Sequence, residues 1–236
     1  MKKIWTGMAA IALVCGTLST AQATLVIDEG FNTVLPAGWA KTNNSAPIGT
    51  TDWFQGNTGV FSSQAGPADS YAAANFNAAD FGGDISDWLF TPTVTLHNGD
   101  VFTFFTRTEA NAPFPDRLQV RVSTSGASTN VGATTSSVGD FTILLFDINP
   151  TLSVGGFPES WTQFSAVLSG VGASTQGRIA FRYVVTDTSI NGDYIGIDTV
   201  TLSTRDVTNV PEPSTVAVFA LGLALLGWRL RRANAR

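Results

Sequence analysis

Arg178-Ile-Ala-Phe-Arg-Tyr-Val-Val-Thr186, followed after a short gap by Tyr194-Ile-Gly-Ile-Asp-Thr-Val-Thr-Leu202, decides the fold class. In the first segment Ile179, Phe181, Tyr183 and Val185 share one parity, and Ala180, Arg182, Val184 and Thr186 share the other. That period of two belongs to a strand with one face on a core. Asn191-Gly192-Asp193 between the segments is a turn signal. In the second segment Ile195 and Ile197 agree in parity, yet Val200 and Leu202 have the opposite one. If both pairs face the core, the slip at Asp198-Thr199 predicts a β-bulge there, which would re-aim Asp198.

The same periodicity extends upstream. Over Asp116–Ser123, Leu118, Val120 and Val122 alternate with Arg117, Gln119 and Arg121, the pattern of a half-solvated antiparallel strand. Val94–Leu96 runs into His97-Asn98-Gly99-Asp100, whose Asn-Gly is a hairpin signal, and then into a Phe-rich strand over Val101–Arg107. Phe141–Phe146 and Trp161–Leu168 read as two more strands, and the Gly/Ser/Thr/Ala tract from Ser123 to Gly139 as a loop or a flexible excursion. Residues 25–92 keep no helical periodicity and read as short strands between long loops. Their aromatics, Trp39, Trp53 and Trp88 among them, are expected either in core and loop packing or as a sugar-stacking platform. About ten short strands with no interior helix make a sandwich or a barrel.

Composition places this body outside the cytosol. The 236 residues are 44% hydrophobic and only 13% charged, which excludes a disordered chain. Lys2 and Lys3, the apolar run Ile4–Leu18 and the small-x-small site Ala21-Gln22-Ala23 form a secretory signal, to be cut by signal peptidase so that the mature chain starts at Thr24. The single cysteine, Cys15, lies within that signal, so thiol chemistry and disulfides are excluded from the mature protein. Residues 24–209 hold seven lysines and arginines against seventeen acids, a balance of −10. That argues against nucleic acid or anionic lipid as a partner.

The C-terminus reads VPEPSTVAVFALGLALLGWRLRRANAR from Val210. Pro211 and Pro213 hold the segment around Glu212 extended and accessible. Val216–Trp228 has no charge, and as a helix it would cover roughly 20 Å of a hydrocarbon core of roughly 30 Å, so flanking residues must help it span. Arg229, Arg231, Arg232 and Arg236 follow, and by the positive-inside rule they stay in the cytoplasm. The expected organisation is a signal peptide at 1–23, a β-domain at 24–205, a linker at 206–215, a transmembrane helix at 216–230 and a basic tail at 231–236.

Pro211, Glu212, Pro213 and Ser214, then the apolar run, then Arg229, Arg231 and Arg232 resemble a PEP-CTERM sorting signal. The resemblance implies cleavage near Pro-Glu-Pro by an exosortase of a Gram-negative bacterium that makes exopolysaccharide. The chain would be tethered to the inner membrane before processing and at the surface or in the matrix after it. Asp84-Ile-Ser-Asp-Trp-Leu-Phe-Thr-Pro92, Leu118–Ser123, Trp161, Gly177–Tyr183 and Gly196–Leu202 resemble the landmarks of a choice-of-anchor J domain, which is similar to cleaved-adhesin and MAM-like domains. This implies an all-β, jelly-roll-like antiparallel sandwich. Domains of this kind often pin their chain ends with structural calcium, for which Asp28, Glu29, Asp193 and Asp198 are the candidates, the alternative being solvated surface acids. Asp84 and Asp87 are expected to cap a turn before Trp88.

Catalytic residue types are scarce. His97 is the one histidine and falls in a turn, no Gly-x-Ser-x-Gly is present, and Glu29, Glu109 and Glu159 do not single out a glycosidase pair. The leading expectation is therefore an exported, non-catalytic surface or matrix protein that is adhesive or exopolysaccharide-associated. The alternatives are a carbohydrate-binding module and a secreted glycoside hydrolase.

Overall fold

The computed structural model describes residues 23–172 and 174–205. The signal run, the sorting segment and the apolar run at 216–230 lie outside them, and no helix among the described residues is long and apolar enough to cross a membrane. Thirteen strands follow in chain order: β1 (Ala23–Glu29), β2 (Ala40–Asn43), β3 (Ala46–Ile48), β4 (Phe54–Gln55), β5 (Ala72–Asn75), β6 (Ala79–Phe90), β7 (Val94–Leu96), β8 (Val101–Thr108), β9 (Leu118–Ser123), β10 (Ile143–Ile148), β11 (Thr162–Val167), β12 (Thr175–Val185) and β13 (Tyr194–Arg205). One 3-10 turn, Phe76–Ala78, joins β5 to β6.

The strands form two antiparallel sheets. The first has the order β11-β8-β13-β5-β4, with β1 on the far half of β13. The second has the order β10-β9-β12-β6-β2, with β3 on β6 and β7 on β12. First and last strands pair, Ala23 opposite Arg205 and Glu29 opposite Val200, so the two ends of the domain meet. The order interleaves strands distant in sequence, as a jelly-roll sandwich requires.

Between the sheets, Phe102 and Phe104 of β8 meet Phe181 of β12 at ring separations of 5.9 and 5.1 Å. Leu118, Val120, Val122, Ile179, Ile195, Ile197, Val200 and Leu202 fill the same layer and are fully buried. Each such side chain contributes about 1.5–3 kcal/mol by burial. All three alternating segments thus place their apolar parity inward. The slip in β13 is a bulge: Asp198 faces Phe105 but Thr201 faces Thr103, and Thr199 takes a φ of +48°. The extra residue lets both apolar pairs reach one core.

Two expectations are corrected. His97–Asp100 is no hairpin, because β7 pairs with β12 and β8 with β11 and β13. The turn hands the chain from one sheet to the other. Gly99 takes a φ of +96° while Asn98 is not left-handed, as in a type II turn and unlike the I′ turn that tight hairpins favour. Asp84 and Asp87 cap no turn, since both sit within the twelve-residue β6. Asp87 lies on the inward parity with neither carboxyl oxygen hydrogen-bonded, and burial pushes its carboxyl well above the usual carboxylate range. The tract after Ser123 is a loop, as one of its two readings had it, and it folds back over the second sheet.

Candidate functional site

Residues on the outward parity of each sheet do not simply meet water. Each sheet carries an outer aromatic cluster under a loop. On the first sheet Tyr71, Tyr194 and Phe61 pack together, with Trp161 beside them and the Arg107 guanidinium 4.4 Å from the Phe61 ring centroid. The loop over them is tied down by polar bonds. The Tyr71 and Tyr194 hydroxyls accept from the Asn57 N–H at 2.9 and 3.1 Å. The Trp161 Nε1–H donates to Ser62 O at 2.8 Å, and Asp198 Oδ2 accepts from Gln64 N and Ala65 N at 2.8 and 3.1 Å. The bulge thus turns Asp198 into an anchor for the roof. Burial pushes its carboxyl up, against the pull of those N–H donors.

On the second sheet Trp88, Phe90 and Ala180 face outward and are covered by Phe141 and Val131 from the segment between β9 and β10. Cross-strand register sets the polar part of this face. Arg182 lies opposite Trp88 on one side and Gln119 on the other, and Ala180 lies opposite Arg121. The Arg182 guanidinium sits 5.0 Å from the Trp88 ring centroid. Its Nε donates to Ser86 Oγ at 3.1 Å, Nη1 to Gln119 Oε1 at 3.1 Å, and Nη2 to the Thr135 carbonyl of the roof.

Arg121 donates from Nε to Gln119 Oε1 at 2.9 Å and from Nη1 to Phe141 O at 3.2 Å. Arg117 forms a bidentate pair with Asp147 at 2.8 and 2.7 Å. Burial pushes Asp147 up, but the bonds from Arg117 and Gln119 outweigh it and hold the carboxyl below its ordinary value. Burial, followed by repulsion from Arg121 and Arg117, pulls Arg182 down to about 10.

A groove of about 320 Å³ opens where these side chains meet the roof. Arg117 just before β9, Gln119 and Arg121 of β9, Arg182 of β12 and Asp84 of β6 supply its polar wall, Thr135 and Ser136 its rim, and Val138 and Val184 its apolar wall. Alternation placed Arg117, Gln119 and Arg121 on one face. Nothing in the sequence signals that Arg182 and a roof would join them.

The residues singled out for calcium are not brought into one cluster. Asp28 lies opposite Thr201 on β1, Glu29 Oε1 accepts the Phe31 N–H at 2.7 Å, Asp193 precedes β13, and Asp198 faces the N–H groups of Gln64, Ala65 and Thr199. Among the described residues no three His, Cys, Asp or Glu side chains converge as metal ligands would. Ala23 opens β1, whereas Ala21, Pro211, Glu212, Pro213, Ser214, Arg229, Arg231 and Arg232 lie outside the described residues. His97 stays in its turn, its N–H bonded to Asp100 Oδ2 at 2.8 Å. Trp39, Trp53 and Trp88 are buried, so the packing reading holds for them, whereas Phe76 and Phe81 of the same stretch are exposed.

Residues 209–232 match the PEP-CTERM protein-sorting motif. No curated protein matches the chain. Among solved structures, the chain resembles the K1 cleaved adhesin domain of Lys-gingipain from Porphyromonas gingivalis W83, with a TM-score of 0.53, 21% identity, and coverage of 75% of this chain and 96% of that one. The K3 cleaved adhesin domain of the same protein gives a TM-score of 0.53 and 21% identity over 77% and 99% of the two chains. The fold is thus that of the cleaved adhesin sandwich, as the second resemblance implied.

Proposed function

We propose that this chain is an exported, non-catalytic surface or matrix protein, sorted through its C-terminal signal and acting by adhesion or by association with exopolysaccharide. The observation that carries this reading is the order of parts: an all-β sandwich ending at Arg205, then a PEP-CTERM motif at 209–232. Signal peptidase would cut after Ala23 and an exosortase near Pro211–Ser214. The apolar run at 216–230 then serves as a transient inner-membrane tether, held by Arg229, Arg231 and Arg232. The sandwich would be what remains outside.

Replacing Pro211, Glu212 and Pro213 together by alanine tests the sorting step. Immunoblots of fractionated cells should show the parent as a shortened surface or medium species and the variant as a longer, membrane-bound one. Unchanged size and location would overturn the reading.

A carbohydrate-binding module is the second reading, and one observation favours it. The groove over the second sheet combines hydrogen-bonding side chains with an apolar wall, the makeup of a small-ligand site.

A further inference from the structure

Three of the seven cations in residues 24–209, a stretch with a balance of −10, converge on the groove over the second sheet. Only one of the three is answered by a carboxylate. Arg117 has Asp147, and the ion pairs among the described residues include neither Arg121 nor Arg182. These two donate solely to neutral oxygens, those of Gln119, Ser86, Phe141 and Thr135. Arg182 is only 4% exposed. A buried cation without a counter-ion costs several kcal/mol, offset only in part by hydrogen bonds and by the Trp88 ring. Asp84, the carboxylate on the groove lining, accepts the Asp187 N–H and forms no ion pair with Arg121 or Arg182, and Asp147 acts on these two only from its pair with Arg117.

The vacant donors point the same way. The Nη2 of Arg121 and the Nη1 of Arg117 carry no hydrogen bond among the described residues. Planar guanidinium groups match carboxylates in geometry and strengthen when desolvated. Around them stand Thr135 and Ser136, suited to sugar hydroxyls, and Val138 and Val184, suited to the C–H face of a pyranose. The groove volume of about 320 Å³ lies at the lower end of small-ligand sites, which run from roughly 300 to 1,000 Å³. A bare inorganic anion would leave the apolar wall unused.

We infer that this groove binds an acidic sugar, the uronate unit of an anionic polysaccharide, with Arg121 Nη2 facing its carboxylate, the buried Arg182 charge beneath, and the Val138 and Val184 wall facing its ring. This rests on the glycan-associated reading above and adds the ligand's charge and the residues that take it.

The test uses the protein purified as its producing cells process it, titrated calorimetrically with short oligogalacturonates, with their carboxyl-reduced neutral counterparts and with inorganic phosphate. Two variants accompany the parent. Arg121→Gln removes a half-exposed charge. Gln119→Glu places a carboxylate where Oε1 already accepts from Arg121 and Arg182, in exchange for the Nε2–H bond to Asp147 Oδ2 at 3.0 Å. The expected result is saturable binding of the oligogalacturonate that weakens with salt and raises the melting temperature. Binding should fall about tenfold or more in both variants, and Arg121→Gln should melt like the parent, which separates lost binding from lost folding. Equal binding by both variants, or no binding of acidic saccharides, overturns the inference. Equal binding of the neutral oligosaccharide overturns the acidic specificity while leaving the glycan reading in place. Phosphate competing as strongly as the uronide overturns the assignment to a sugar.

Discussion

The Tyr183 hydroxyl donates to Asp116 Oδ1 across 2.6 Å in a site fully closed to solvent. The same oxygen accepts the Asp193 N–H at 2.8 Å. Oδ2 lies 2.6 Å from Thr108 Oγ1, which is also 2.9 Å from the Tyr194 carbonyl. A hydroxyl has one proton, and the carbonyl can only accept. Thr108 therefore divides its proton between Oδ2 and the Tyr194 carbonyl, and its bond to Oδ2 favours the ionised carboxyl. Burial outweighs that bond and those from Asp193 N–H and Tyr183, and pushes the Asp116 carboxyl up to about 6.

The pH dependence follows. A carboxyl whose folded value exceeds its unfolded value near 3.8 stabilises the fold fully below about pH 4, and this contribution is lost as pH rises to about 6. Its full span is on the order of 3 kcal/mol. Asp87, also raised by burial, adds in the same direction. Asp147, held low, acts only below the usual carboxylate range and leaves this window alone. Calorimetry should find a higher melting temperature at pH 5 than at pH 8, and an equal or lower one would contradict the assignment.

Asp116→Asn should flatten that profile. The amide oxygen keeps the bonds from Tyr183 and Asp193, while its NH₂ donates permanently to Thr108. Melting temperatures at pH 5 and pH 8 should converge toward the parent's pH 5 value. Asp116→Ala instead strands three buried polar groups and should cost about 3 kcal/mol or more in urea unfolding.

Asp198→Ala should detach the roof over the first sheet. It removes the acceptor for Gln64 N, Ala65 N and Thr199 N at once. A loss of about 2–4 kcal/mol is expected, together with new proteolytic cleavage between residues 57 and 70 under native conditions. A parent-like digestion pattern would show that the aromatics hold the roof unaided.

Gly196→Ala should disturb the same cluster from below. An added Cβ would stand 2.9 Å from Phe61, Trp161 and Tyr71. The Gly196 backbone is not left-handed, so the penalty is steric alone. About 1–3 kcal/mol of destabilisation and an altered near-ultraviolet circular dichroism are the expected readouts.

Legibility along the chain divides by distance. The bulge at Asp198-Thr199 could be counted from Ile195, Ile197, Val200 and Leu202, because parity is a local property. The same count separated Leu118, Val120 and Val122 from Arg117, Gln119 and Arg121. It failed at Asn98-Gly99, where a real turn connects two sheets, since partner choice is made elsewhere in the chain. It failed at Asp87 too, where composition suggested a cap and the register of β6 put a carboxyl inside.

What the amino-acid order determined by itself is the all-β class, the face each strand residue shares, and the linear sorting motif at 209–232, all of which are read from adjacent residues. What only the tertiary structure decided is the groove: Gln119 and Arg182 are 63 residues apart and meet through strand pairing, and the segment carrying Thr135 closes over both. Side-chain period is set by backbone geometry, which any short window contains. A buried arginine without an ion-pair partner exists only once the whole sandwich has closed, because burial is a property of everything packed around a residue.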